Sequence, residues 1–226
     1  SEGGLIAPLA AIRSEKVAYI VMLAGPGVPG IDILVAQGQL INRAGGAPEV
    51  VIEMNTRVQR ALADIAKEEP NLEKAGPLMR SAMREEIALL PPAIKELIPE
   101  SQIGDAAINT TVNQFNSPWF RFFLHHDPRP VLEQVSVPVL AIFGEKDLQV
   151  PHELNVPEIE AAFERGNNEA ATVRVLPGLN HLFQQAESGA PSEYQQIEET
   201  FNQNALELVS SWILKQFTTP KLDTLN

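Results

Sequence analysis

Val137-Pro138-Val139-Leu140-Ala141-Ile142-Phe143 is an apolar run of strand length, closed at once by Gly144-Glu145-Lys146-Asp147. A strand buried on both faces has no solvent side for polar residues, so it reads as a continuous run rather than an alternation. Two further runs have the same character. Val17–Leu23 lies upstream and ends at Ala24-Gly25-Pro26-Gly27-Val28-Pro29-Gly30, and Thr172–Leu176 lies downstream. Helical spacing separates and flanks them. Leu5–Ile12 is rich in Ala and Leu, Glu153–Arg165 follows the second strand, and Phe201–Phe217 closes the chain with Trp212 on its apolar side. Strands alternating with helices predict an α/β fold with parallel strands and right-handed crossovers. The tail from Thr218 is expected to fray.

Residues 31–125 break this rhythm. Ile31–Ala44, Glu49–Lys67, Leu72–Leu90 and Ser101–Phe115 carry helical spacing with charged faces. Pro48, Pro70, Pro91-Pro92 and Pro99 mark starts and breaks. The division expected is therefore core over 1–30, a helical insertion acting as a cap or lid over 31–125, and core again over 126–226. Trp119, Phe120, Phe122 and Phe123 cluster at the end of the insertion. They suit packing of the lid on the core, or the wall of an acyl pocket.

Composition narrows the partners. The chain has 29 acidic and 17 basic residues, a formal charge of −12, with 44% hydrophobic and 20% charged residues. Such a surface repels phosphate, so neither nucleic acid nor an anionic membrane is expected as a partner. No apolar run approaches the roughly 20 residues that span a bilayer. The chain has no cysteine, which excludes disulfides and thiolate zinc sites and leaves the compartment open. No residues show metal-ligand spacing, and Gly25-Pro26-Gly27 lacks the frame of a phosphate-binding loop. Neither a metal nor another cofactor is expected.

Sites in open parallel sheets form beyond the carboxyl ends of the strands. Asp147 follows the second strand in Gly144–Pro151, and His181 follows the third in Leu176-Pro177-Gly178-Leu179-Asn180-His181-Leu182-Phe183. The chain opens with Ser1-Glu2-Gly3-Gly4, then an apolar helix start, as in the second half of a Gly-x-Ser-x-Gly elbow. A serine hydroxyl is a weak nucleophile and needs a neutral imidazole to take its proton. A buried carboxylate holds that imidazole in the right tautomer. The N–H after the nucleophile, here that of Glu2, stabilises the oxyanion. His125 and His126 suit surface or packing roles, and His152 suits packing or a contact at the site's rim. Lys146 and Glu145 read as solvated turn residues.

Ser1–Pro8, Ala24–Gly30, Ser117–Pro130, Gly144–Pro151 and Leu176–Phe183 together resemble bacterial α/β-hydrolases of the serine esterase and serine aminopeptidase-like group. The resemblance spans the whole chain but only the C-terminal part of such a protein, from the nucleophile onward. It implies the last three parallel strands of an α/β-hydrolase fold carrying a helical cap. It implies a carboxylesterase-like acyl hydrolase acting on small to medium esters, with Ser1 as nucleophile, Asp147 as acid and His181 as base. The strand before the serine and the loop that gives a second oxyanion N–H would have to come from an upstream segment of the same protein or from a second copy. Two other readings compete. One is a non-catalytic fragment or pseudoenzyme. The other is an N-terminal-nucleophile amidohydrolase using the amine of Ser1 as base, which parallel crossovers argue against.

Overall fold

The structure, a computed structural model, describes residues 2–218. Ser1, expected as a nucleophile, and the tail beyond Thr218 lie outside the described residues. The chain forms two compact units. One joins the residues up to Val28 with those from Pro128 onward, and the other spans Pro29–Asp127.

The first unit is built on a parallel sheet of three strands in the order β1-β2-β3, so it is mixed α/β. The strands are β1 (Ile20–Leu23), β2 (Val139–Gly144) and β3 (Ala171–Leu176). Ile20 to Leu23 pair with Val139 to Ile142, and Val139 to Gly144 pair with Ala171 to Leu176. Every residue of β2 is buried, as expected of a central strand with neighbours on both edges. Helices α1 (Glu2–Ala11), α9 (Arg129–Leu132), α10 (His152–Arg165) and α11 (Gln203–Thr218) complete this unit, with a 3₁₀ turn at Pro191–Gln196.

β1 is shorter than its apolar run. The segment from Val17 is held by a local turn in which Val17 N–H donates to Ser14 O, and pairing begins only at Ile20. The cause lies across the ladder. Pro138 has no N–H to offer an earlier partner, and its carbonyl accepts from Ile20 N at 3.0 Å, which starts the register there.

The second unit is all helix. It contains α2 (Gly30–Ala44), α3 (Glu49–Glu68), α4 (Leu72–Ala88), α5 (Pro92–Lys95), α6 (Glu100–Ile103), α7 (Asp105–Phe115) and α8 (Pro118–His125). Its core is drawn mainly from one face of each longer helix, with Leu62, Met79, Val112 and Leu124 almost fully enclosed. Each such side chain contributes about 1.5–3 kcal/mol relative to exposure. Helix starts are chemically marked. Asn71 Oδ1 accepts from Glu73 N and Lys74 N at the head of α4, and Ser117 Oγ accepts from Phe120 N at the head of α8. The helix expected over Ser101–Phe115 is two helices, because Gly104 adopts an extended conformation (φ −75°, ψ 172°) between α6 and α7. The aromatic cluster lies on α8, where Phe120 packs edge-on to Phe115 at 5.0 Å and Trp119 lies 5.6 Å from Phe122.

Candidate active site

The three loops at the carboxyl ends of the strands carry the site. Asp147 lies on the turn leaving β2, its side chain fully enclosed. Burying a carboxylate without partners is costly, and here both oxygens have partners. Its Oδ1 accepts from Gln149 N (2.8 Å) and Val150 N (2.9 Å). Its Oδ2 lies 2.8 Å from His181 Nδ1. Facing a carboxylate acceptor, Nδ1 donates, so the lone pair of the neutral ring sits on Nε2. His181 keeps 13% of its side chain exposed, and Nε2 makes no hydrogen bond among the described residues.

The loops of Asp147 and His181 are laced together by backbone. Glu145 N donates to Leu176 O and Lys146 N to Leu179 O, at 2.9 and 2.8 Å. Such proximity requires Gly144, since a Cβ there would overlap the carbonyls of Leu179 and Asn180. Side chains add to the lacing. Lys146 Nζ donates to Ala186 O and Glu187 O, and Glu145 accepts from Gly178 N, each at 2.8 Å. Lys146 and Glu145 lie on the turn, as expected, with Glu145 exposed, and their side chains also serve as cross-links.

His181 sits on a tight turn that its neighbours define. Asn180 is fully buried; its Oδ1 accepts from Leu182 N and Gln184 N, and its Nδ2 donates to Gln184 Oε1. Phe183 N donates to Asn180 O, and Phe183 takes a left-handed conformation (φ 57°). That conformation is unfavourable for a bulky residue and persists because packing over-determines it. The Phe183 ring is buried and stacks on Phe201 at 5.4 Å, while its carbonyl accepts from Asn202 N at 2.8 Å. Asn180 could have been suspected from the turn-forming habit of Asn. Gly144, Gln184 and Phe183 act through tertiary contacts that leave no local pattern.

The third loop follows β1. Gly25 there meets Gly4 of α1 so closely that a Cβ on Gly4 would overlap Gly25 Cα. Gly27 N donates to the buried Asn155 Oδ1 at 2.8 Å, which ties the loop to α10. The head of α1 thus lies at the same carboxyl edge of the sheet as Asp147 and His181. Glu2 is the first residue of α1 and is exposed, and an N–H in a first turn has no acceptor within its helix.

The other histidines make contacts of their own. His125 Nε2 is 3.1 Å from Ala63 O, and His152 Nε2 is 3.3 Å from Glu153 Oε1. The His126 ring lies 4.8 Å from that of Phe122, tilted by 30°, and its buried Nε2 has no partner among the described residues. Burial lowers its pKa below the ordinary imidazole value, opposed by the charge of Asp127. Among the described residues no group of His, Asp and Glu could hold a metal ion, and no helix is long and apolar enough to cross a membrane.

No family model, curated protein or solved structure matches this chain. Its function must be read from the site's own geometry.

Proposed function

We propose that this protein is a serine acyl hydrolase of carboxylesterase type, acting on small to medium acyl esters. The observation that carries the reading is the Asp147–His181 hydrogen bond of 2.8 Å, between loops at the carboxyl ends of adjacent parallel strands. Placement of the head of α1 at that same edge supports Ser1, three residues before Gly4, as the nucleophile. On this reading the core is the C-terminal part of an α/β-hydrolase fold, and the helical unit between β1 and β2 is its cap.

The chemistry then runs as two proton-balanced steps. Ser1 Oγ attacks the ester carbonyl as His181 Nε2 takes its proton, and Glu2 N–H donates to the oxyanion. Collapse breaks the bond to the alkoxy oxygen, which leaves as the alcohol with the proton from His181. Water, deprotonated by the same nitrogen, attacks the acyl-serine, and the acid departs as Ser1 recovers its proton. Asp147 keeps Nδ1 protonated throughout, so Nε2 is always the atom that takes and returns the proton.

A fluorophosphonate probe tests the reading. The expected result is one adduct, mapped to Ser1 by peptide mass spectrometry and lost in His181→Ala. Labelling that survives His181→Ala and Asp147→Ala but fails once the α-amine is blocked would instead indicate an N-terminal nucleophile. A panel of p-nitrophenyl esters of rising chain length, with aminoacyl amides beside it, would define the acyl group.

One observation favours a second reading, a fragment that requires an upstream segment or a second copy. Among the described residues β1 pairs with β2 alone, and Leu23 at its end is 37% exposed. An unpaired apolar edge invites another strand. Size-exclusion chromatography alongside the esterase assay decides it, because a stable, fully active monomer rules this reading out.

A further inference from the structure

We infer that Tyr194 is a positioning residue for Asp147, acting through the side chain of Gln149. The inference rests on the triad reading above and extends it to a segment that contributes no triad member.

The support for one oxygen of the Asp147 carboxylate comes from the backbone of the turn that follows it. The N–H groups of Gln149 and Val150 both reach Oδ1. No regular secondary structure holds Leu148 to Val150. Whatever fixes residue 149 therefore fixes the carboxylate, and through it the imidazole. The side chain of Gln149 is anchored at a distance in sequence, where its Nε2 donates to the hydroxyl oxygen of Tyr194 at 3.0 Å.

Tyr194 is a fixed post rather than a loose partner. It sits in the 3₁₀ turn of a strap, residues 186–196, that is fastened without it. Lys146 Nζ holds the strap's first two carbonyls. Gly189, at φ 77°, lies so close to Lys146 O that no side chain would fit. Glu193 curls the strap on itself, accepting from Gly189 N (2.6 Å), Ser188 N (3.2 Å) and Ser188 Oγ (3.1 Å). The phenol stays protonated, because burial raises its pKa and the charges of Asp147 and Glu193 add to that against the opposing Gln149 bond. A neutral hydroxyl of fixed position is thus presented to Gln149.

A purely structural role would show in stability alone, so the test separates the two. Tyr194→Phe removes the hydroxyl and keeps the ring, which is the cleaner change because Gln149 has a further interaction of its own. The first readout needs no turnover. It is the solvent-exchange rate of the His181 Nδ1 proton by NMR in the intact protein, assigned by its loss in His181→Gln. We expect that rate to rise about 10-fold in Tyr194→Phe, and kcat to fall about 10-fold with KM unchanged, as for a slightly misplaced catalytic group. In a Gln149→Ala background Tyr194→Phe should change kcat by less than about two-fold, since the two act as one link. An unchanged exchange rate in Tyr194→Phe overturns the inference, as do losses that multiply in the double variant. A wild-type protein without esterase turnover would count against the hydrolase reading, while the exchange rate would still decide the role of Tyr194.

Discussion

Gly144 and Leu179 approach so closely that no side chain fits on Gly144: a Cβ there would lie 2.6 Å from the carbonyl oxygen of Asn180 and nearer still to that of Leu179. Both obstacles are backbone, so neither can rotate away. Gly144→Ala should therefore push the His181 loop off the end of β2. We expect a loss of about 2 kcal/mol in urea unfolding, the usual cost of overpacking. The Nδ1 proton of His181 should also exchange with solvent faster than in wild type. Wild-type stability in Gly144→Ala would show that the two loops are free to separate.

The strands were legible because burial on both faces leaves a continuous apolar run, and β2 has that burial throughout. The places of Asp147 and His181 were legible because each follows such a run directly. What escaped was whatever depends on a partner distant in sequence. The start of β1 is decided by Pro138 across the ladder, and no property of Val17 to Tyr19 announces it. Gly104 splits a segment whose apolar spacing alone looks continuous, because spacing does not register one extended residue. Lys146 acts through two distant carbonyls and Tyr194 through a carboxamide. Neither contact has a periodicity that a single sequence could display.

Arg121 closes the far end of α3. Its Nη1 donates to Ala66 O and Glu69 O at 2.8 Å, and its Nη2 donates to Asn116 Oδ1 at 2.7 Å. The last carbonyls of a helix lack intrahelical donors and carry partial negative charge, so a guanidinium satisfies both needs. Arg121→Met should destabilise the helical unit by about 1–3 kcal/mol, the range for leaving an acceptor without its partner. Arg121→Lys keeps the charge but has a single donor centre, and should recover less than half of the loss. Chemical unfolding followed by helical circular dichroism checks both. Equal stability of the Lys variant and wild type would show that charge alone suffices.

His126 should make the helical unit sensitive to mild acid. Burial, its largest influence, lowers the pKa below the usual 6.5 despite Asp127, so the folded state resists taking up a proton. The unfolded state accepts one near about 6.5. Between the lowered folded value and that point the unfolded chain binds more protons, and stability rises with pH there. The contribution is complete above the unfolded value and is lost as pH falls toward the folded one. Wild-type stability should therefore drop more between pH 7.5 and 5.5 than that of His126→Phe. His125, His152 and His181 are common to both proteins, so the difference isolates His126. Parallel pH profiles would contradict the assignment.

Asp147→Asn separates the two jobs of that side chain. The Asn Oδ1 can still accept from Gln149 N and Val150 N, so the turn after β2 should keep its shape. Facing His181, however, a carboxamide nitrogen replaces an acceptor. It would meet Nδ1 as a donor, and the favoured tautomer would place the proton on Nε2. A ring protonated there cannot take a proton from a serine. On the triad reading such a change should lower turnover by about 10⁴-fold while the fold persists. The rate of fluorophosphonate labelling should fall on that scale, with a melting temperature within a few degrees of wild type. The decisive contrast is with Asp147→Ala, which removes both jobs and should cost stability as well as rate. If the Asn variant labels at the wild-type rate, His181 does not draw its basicity from Asp147, and the triad reading fails.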